Sequence, residues 1–127
     1  MAVVLSDTAK AAVLDALGSA LDGGNMVFQT AGNATVATVA FNADAFAAAS
    51  GSGEVSIEAD VDPALEDTNC AGNASNDVTK CLLQTAAGVT LLTVGVATSA
   101  AEFVLTHVRI YAGDLLRVSS AELYMSA

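Results

Sequence analysis

The hydrophobic pattern of this chain changes period once, after Gly24, and does not change back. Before that point Val13, Leu14, Leu17 and Leu21 recur at helical spacing and predict one amphipathic helix over 7–21. Ser6 stands at the N-cap, where a hydroxyl accepts from the first turn, and Asp7 follows where the macrodipole favours an anion. Gly23 and Gly24 tolerate the positive φ that ends a helix. Everything after them alternates with a period of two, as strands do. One helical stripe followed by strand pattern excludes a helix bundle and an alternating α/β fold. The expected class is mainly β, a β-sandwich or jelly-roll-like domain with one N-terminal α-helix.

Turn chemistry divides the strand region. Ala31-Gly32-Asn33, Ser50-Gly51-Ser52-Gly53, Ala86-Ala87-Gly88 and Ala112-Gly113-Asp114 separate strands expected at 26–30, 35–41, 54–60, 78–85, 89–97, 102–111 and 115–125. The last of these turns predicts a three-residue hairpin between 102–111 and 115–125. Residues 42–50 read as a loop or one helical turn. Residues 61–77, with the only proline, three asparagines and a run of acids, read as one long irregular loop. The whole of 1–127 makes one domain, with 25–127 as the sandwich, because a chain of this size can bury one core without metals or staples.

Composition then limits the partners. Hydrophobic residues are 54% of the chain and charged ones 14%, which excludes intrinsic disorder. Four Lys and Arg against 14 Asp and Glu leave a net charge of -10. Four cations cannot neutralise a run of phosphates, and an anionic bilayer repels such a chain, so neither a nucleic acid nor a membrane is expected as a partner. The first residues lack a basic n-region, and Asp7, Lys10 and Asp15 interrupt any apolar core, so synthesis in a cytoplasm without a cleaved leader is expected.

Few residues carry chemistry. His107 is the only histidine, it falls in the middle of an expected strand, and no G-x-S-x-G accompanies it, so it reads as a packed or interface residue. Gly51-Ser52-Gly53 has Ser56 where a phosphate loop needs a third glycine, and reads as a turn. Asp60, Asp62, Glu66 and Asp67 offer the clustered carboxylates a hard cation wants. However, Ala64 and Leu65 occupy the EF-hand ligand and glycine positions, which leaves a solvated loop held extended by its own repulsion. Asn33-Ala34-Thr35 and Asn73-Ala74-Ser75 match glycosylation sequons by chance, given the missing leader. Cys70 and Cys81 allow two readings: a disulfide worth roughly 3 kcal/mol of chain entropy, or two reduced thiols with Cys81 buried in a strand. No catalytic, cofactor or metal residue is expected.

The stretch 102–111 is amphipathic on neither face. Val104, Val108 and Ile110 share one side, and Phe103, Leu105, His107, Arg109 and Tyr111 share the other. A half-solvated strand alternates more cleanly. Either both sides are covered within the chain, or the side bearing Phe103, Leu105, His107, Arg109 and Tyr111 is an interface covered by another subunit.

Three segments together resemble a family of small structural proteins of tailed bacteriophages. They are a capped amphipathic helix, LSDTAKAAVLDALGSALDGG at Leu5–Gly24; an aromatic before small residues, FNADAFAAASGSG at Phe41–Gly53; and the closing strands of Val89–Met125 with their small-Gly-polar turn. Residues 58–85, with both cysteines, lie outside the resemblance. It implies a virion component and no enzyme: a decoration or cement protein on the outer capsid surface, bridging major capsid protein subunits. A homotrimer at quasi-three-fold positions goes with that role, and no cofactor does. The alternative it implies is a tail or tail-fibre-associated protein with a receptor-binding or assembly role.

Overall fold

The structure, a computed structural model, describes residues 3–126. The Ser6 hydroxyl accepts the Ala9 N–H at 3.1 Å, and helix α1 runs Asp7–Ala20 with Leu21 as its C-cap. The helix buries a narrower stripe than its sequence suggests. Leu14 and Leu21 are buried and Leu17 is half-buried, but Val13 is 49% exposed. Gly18 is buried on the inward face in line with Lys10 and Leu14. A Cβ there would lie 3.2 Å from both Ile57 and Phe46, so a bare backbone lets the helix settle on them.

Lys10 is also on that face, with 9% exposure. Its Nζ donates to the Gly53 carbonyl at 2.6 Å and to the Ser126 carbonyl at 3.1 Å. Lys10→Met keeps the aliphatic stem and removes the donor from both carbonyls. A loss of about 2 kcal/mol is expected from urea unfolding, the magnitude typical of hydrogen bonds to a charged group. A midpoint equal to that of the parent protein would contradict it.

Among the described residues nine strands follow the helix: β1 (Asn25–Thr30), β2 (Thr35–Ala40), β3 (Val55–Glu58), β4 (Leu65–Asp67), β5 (Val78–Gln84), β6 (Thr90–Ala97), β7 (Phe103–Val104), β8 (Leu116–Val118) and β9 (Glu122–Met125). A five-stranded sheet has the order β2-β1-β5-β6-β7, antiparallel except for β6 with β7. Two further antiparallel pairs form outside this sheet: β3 with β9, against which α1 packs, and β4 with β8, which lies beside β2. The protein is thus mainly β with one N-terminal helix.

The core follows from the strand period. Met26 and Phe28 on β1 face Val39 and Ala37 on β2 and Leu83 and Cys81 on β5, and all six are buried. Leu92 and Val94 continue the row on β6. Thr38 and Thr93, on the opposite face, are exposed. Leu65 of β4 and Leu116 and Val118 of β8 cover the inner face, together with Phe41 and Ala45. A smaller cluster of Leu14, Val55 and Ile57 packs beneath α1 and shares Phe46 and Leu123 with the main core.

Two expectations fail here. The hairpin of 102–111 with 115–125 does not form. Its turn is present, with the Asp114 N–H donating to the Tyr111 carbonyl at 3.1 Å, but the arms go to different partners. β7 lies parallel to β6, β8 pairs with β4, and β9 pairs with β3. The second failure explains the first. Residues 61–77 are not one irregular loop, because they contain β4, whose Leu65 is 1% exposed. That strand takes β8 as its partner, which leaves the expected hairpin without its second arm.

Candidate interaction surface

The alternation expected through 102–111 slips by one residue near Thr106 and His107. Phe103 and Leu105 point inward, and so do Val108 and Ile110, while Val104, His107, Arg109 and Tyr111 point outward. Each face expected from the sequence is therefore split. His107 lies outside the strands, in irregular backbone, and is exposed rather than held mid-strand. Phe103 stacks edge-on against Phe28, with ring centroids 5.3 Å apart and planes at 89°. Leu105 is 7% exposed, and its N–H donates to the Ala97 carbonyl at 3.0 Å. These two residues belong to the core, which corrects their assignment to an interface.

His107, Arg109 and Tyr111 do share a surface. Their backbone is held by the segment that follows β4. The Asn73 N–H donates to the Ile110 carbonyl at 2.8 Å, and the Val78 N–H to the Val108 carbonyl at 2.8 Å. The Asp114 carboxylate accepts the Tyr111 N–H at 2.9 Å. Together with Val104, Leu115 and Arg117 they line an open groove of about 780 Å³. Val104, Tyr111 and Leu115 are each more than half exposed in it.

The groove holds two of the four cationic side chains of a chain whose net charge is -10. Arg109 Nε donates to Asp77 at 2.7 Å and its Nη1 to the Ala74 carbonyl at 3.2 Å. Arg117 places Nε and Nη2 on one Glu66 oxygen, at 3.0 and 2.8 Å. Such exposed pairs add at most about 1 kcal/mol of stability. Their effect here is to fix two guanidinium planes beside exposed Tyr, Leu and Val side chains, the residue mixture that binding hot spots favour. Val104 was read on the opposite face, and Leu115 and Arg117 were not singled out from the sequence. The signal for Arg117 is Glu66 opposite it, legible only once β4 is known.

The acidic run is occupied by local hydrogen bonds. Asp60 accepts the Asp62 N–H at 3.0 Å. Asp67 accepts Thr38 N–H at 2.9 Å and Asn69 N–H at 3.0 Å. Among the described residues no group of three or more His, Cys, Asp and Glu side chains is placed to hold a metal ion. Repulsion does not hold this segment extended either. The Cys70 N–H bonds the Asp114 carbonyl at 3.0 Å, the Gly113 N–H bonds the Cys70 carbonyl at 2.8 Å, and the Gly72 N–H bonds the Val36 carbonyl at 2.9 Å. At the sequons, Asn33 accepts from Lys80, and Asn73 accepts the N–H groups of Ser75 and Asn76 at 2.9 Å.

The disulfide is not formed: Cys70 and Cys81 are both free and both buried. Cys81 sits within β5 between Phe28 and Val94, whereas Cys70 follows β4 against the turn at Asp114. Burial pushes the Cys81 thiol up to about 12. Burial and then the Asp67 carboxylate push Cys70 up as well. A buried, protonated thiol is a poor nucleophile. Iodoacetamide at pH 8 is expected to label neither cysteine in the folded protein and both in urea. The sign of the pH effect follows from the same shift. The folded state keeps the Cys81 proton that the unfolded chain releases near pH 9, so stability falls as pH rises from about 9 toward 12. Flat stability across that window, by urea titration, would contradict the burial of Cys81.

Compared with known proteins, this chain matches no protein-family model, no curated protein and no solved structure.

Proposed function

We propose that this chain is a virion structural protein that decorates the outer capsid surface and docks on the major capsid protein through the groove of Val104, His107, Arg109, Tyr111, Leu115 and Arg117. The observation that carries this reading is the grouping of exposed apolar side chains around two immobilised guanidiniums on an otherwise acidic molecule. The resemblance at Leu5–Gly24, Phe41–Gly53 and Val89–Met125 supplies the setting. A fastener of this kind acts by binding alone. It has affinity for neighbouring subunits held together and little for separated ones, so it shifts the equilibrium toward the closed shell by mass action. The remaining negative charge keeps free copies apart and soluble before they dock.

The experiment is reconstitution of purified shells that lack the protein. Added wild type is expected to bind in numbers comparable to the major capsid subunit and to raise the temperature at which the shells burst. Tyr111→Ala with Arg117→Ala removes two side chains of the hot-spot kind and is expected to weaken docking about 30-fold or more. Shells equally fragile with and without the protein would overturn the capsid reading. A few copies confined to the tail would put the tail-associated reading in its place.

A further inference from the structure

A second cleft, of about 730 Å³, opens where β6 and β7 meet β9. Small-molecule sites commonly hold roughly 300–1,000 Å³. The floor of this cleft is the core itself: Met26 of β1, Leu83 of β5 and Phe41 line it and are otherwise buried. Its walls are the half-buried side chains of Phe46, Val94, Phe103 and Leu123. Both wall rings are held by a neighbouring ring. Phe103 sits edge-on against Phe28, and Phe46 lies against Phe41 with centroids 5.5 Å apart. The inner part of the cleft is therefore apolar, largely aromatic and already in place.

The mouth is of a different character. Its charged residues are Glu102 and Glu122, both exposed, and no cationic side chain lines the cleft. Glu122 also stands directly opposite Glu58 across the β3–β9 ladder, and like charges in that position are unfavourable. The chain does not neutralise them. Among the described residues no Lys or Arg pairs with Glu58, Glu102 or Glu122. All four cationic side chains are engaged elsewhere: Lys10 on the Gly53 and Ser126 carbonyls, Lys80 on Asn33, Arg109 on Asp77 and Arg117 on Glu66. Tyr124 shares the mouth with the two carboxylates and is 60% exposed, and the face of such a ring attracts a cation.

We propose that this cleft binds a small organic cation with an apolar body, an amine or quaternary ammonium. Its hydrocarbon part enters between Phe46, Phe103 and Leu123, and its charge stays at the mouth with Glu102, Glu122 and Tyr124. The apolar interior selects the body, and the unmatched carboxylates select the head. The Met26 thioether side chain lets the floor adapt to bodies of different shape. A ligand of the same shape with an anionic head meets two carboxylates and no cation. Such binding needs neither a shell nor docking, although the cleft shares Val104 with the groove.

Three probes that share one body test it: phenylbutylammonium, phenylbutanol and phenylbutyrate, each titrated at pH 7 and followed by the methyl resonances of Met26 and Leu83. The ammonium is expected to shift both resonances and to bind about 10-fold more tightly than the carboxylate, with the alcohol between them. Glu102→Gln with Glu122→Gln alters only exposed side chains, so the fold is kept and most of that preference should disappear. Val94→Phe fills the cleft from β6 and is expected to abolish binding of all three probes with an unchanged far-UV spectrum. No shift of either methyl group with the ammonium, or equal binding of the ammonium and the carboxylate, overturns the proposal. So does a preference that survives the double substitution, because the two carboxylates would then not hold the charge. Should Val94→Phe fail to fold, the resonances of the parent protein still locate the probe, and shifts confined to residues outside the cleft overturn the site.

Discussion

Phe28→Ala is expected to destabilise the protein by about 3–5 kcal/mol, a large share of the roughly 5–15 kcal/mol that holds a domain of this kind together. Phe28 has no exposed surface and lies at the centre of β1. Its neighbours across the ladder are Ala37 and Cys81, both small. They cannot expand into the space a phenyl ring leaves, so most of the cavity persists and its cost adds to the lost transfer energy. Phe103 loses its edge-on partner at the same time. Since Phe103 anchors β7, beside Val104 at the start of the groove, the substitution should also increase amide exchange at residues 103–105. Phe28→Leu refills much of the volume and is expected to cost markedly less. Urea unfolding of both variants gives the comparison. A Phe28→Ala loss below about 1 kcal/mol would mean that the main core does not close on this ring.

Gly72→Ala is expected to cost a similar amount, about 3–5 kcal/mol, for a different reason. Gly72 has φ +73, which an L side chain rarely adopts. A Cβ there would also lie 2.1 Å from the Ala112 nitrogen and 2.3 Å from the Tyr111 carbonyl carbon. Both obstacles are backbone, so no rotamer change relieves them. The segment 70–73 must lift away from 110–114 and give up the bonds from Cys70, Gly113 and Asn73. Gly88→Ala is the control. Its φ is +83, but nothing lies within 4 Å of the added Cβ, so only the conformational cost of about 1 kcal/mol remains. The two variants separate on a second readout. Gly72→Ala displaces Tyr111 and should weaken shell docking even where the protein is folded, whereas Gly88→Ala should leave docking unchanged.

Much of this architecture is legible in the sequence wherever the deciding interaction is local. The capped helix, β1, β2, β3, β5 and β6 all stand where periodicity and turn residues put them, because each writes its own in-out pattern over several residues. β4 does not. It has three residues, and Leu65 is its only apolar side chain, between Ala64 and an acidic pair, so it leaves no period to detect. With β4 hidden, β8 had no visible partner, and the sound turn at 112–114 pointed to a hairpin that a longer-range pairing displaces. The interaction surface was half legible for a related reason. His107, Arg109 and Tyr111 lie on one side as expected, but the slip near Thr106 turns Phe103 and Leu105 into the core. No feature of the local pattern announces it, because the parity of 103–105 is set by the parallel contact with β6.

The clasp made by Lys10 has a consequence for how the chain can be rewired. Its ammonium group bonds the carbonyl of Ser126, the last described residue, so the first turn of α1 and the end of the described chain lie close together. A short bridge between those ends, with new termini opened at the Ala86-Ala87-Gly88 turn, would give a circular permutant. The order of the elements along the polypeptide would change while each kept its neighbours in space.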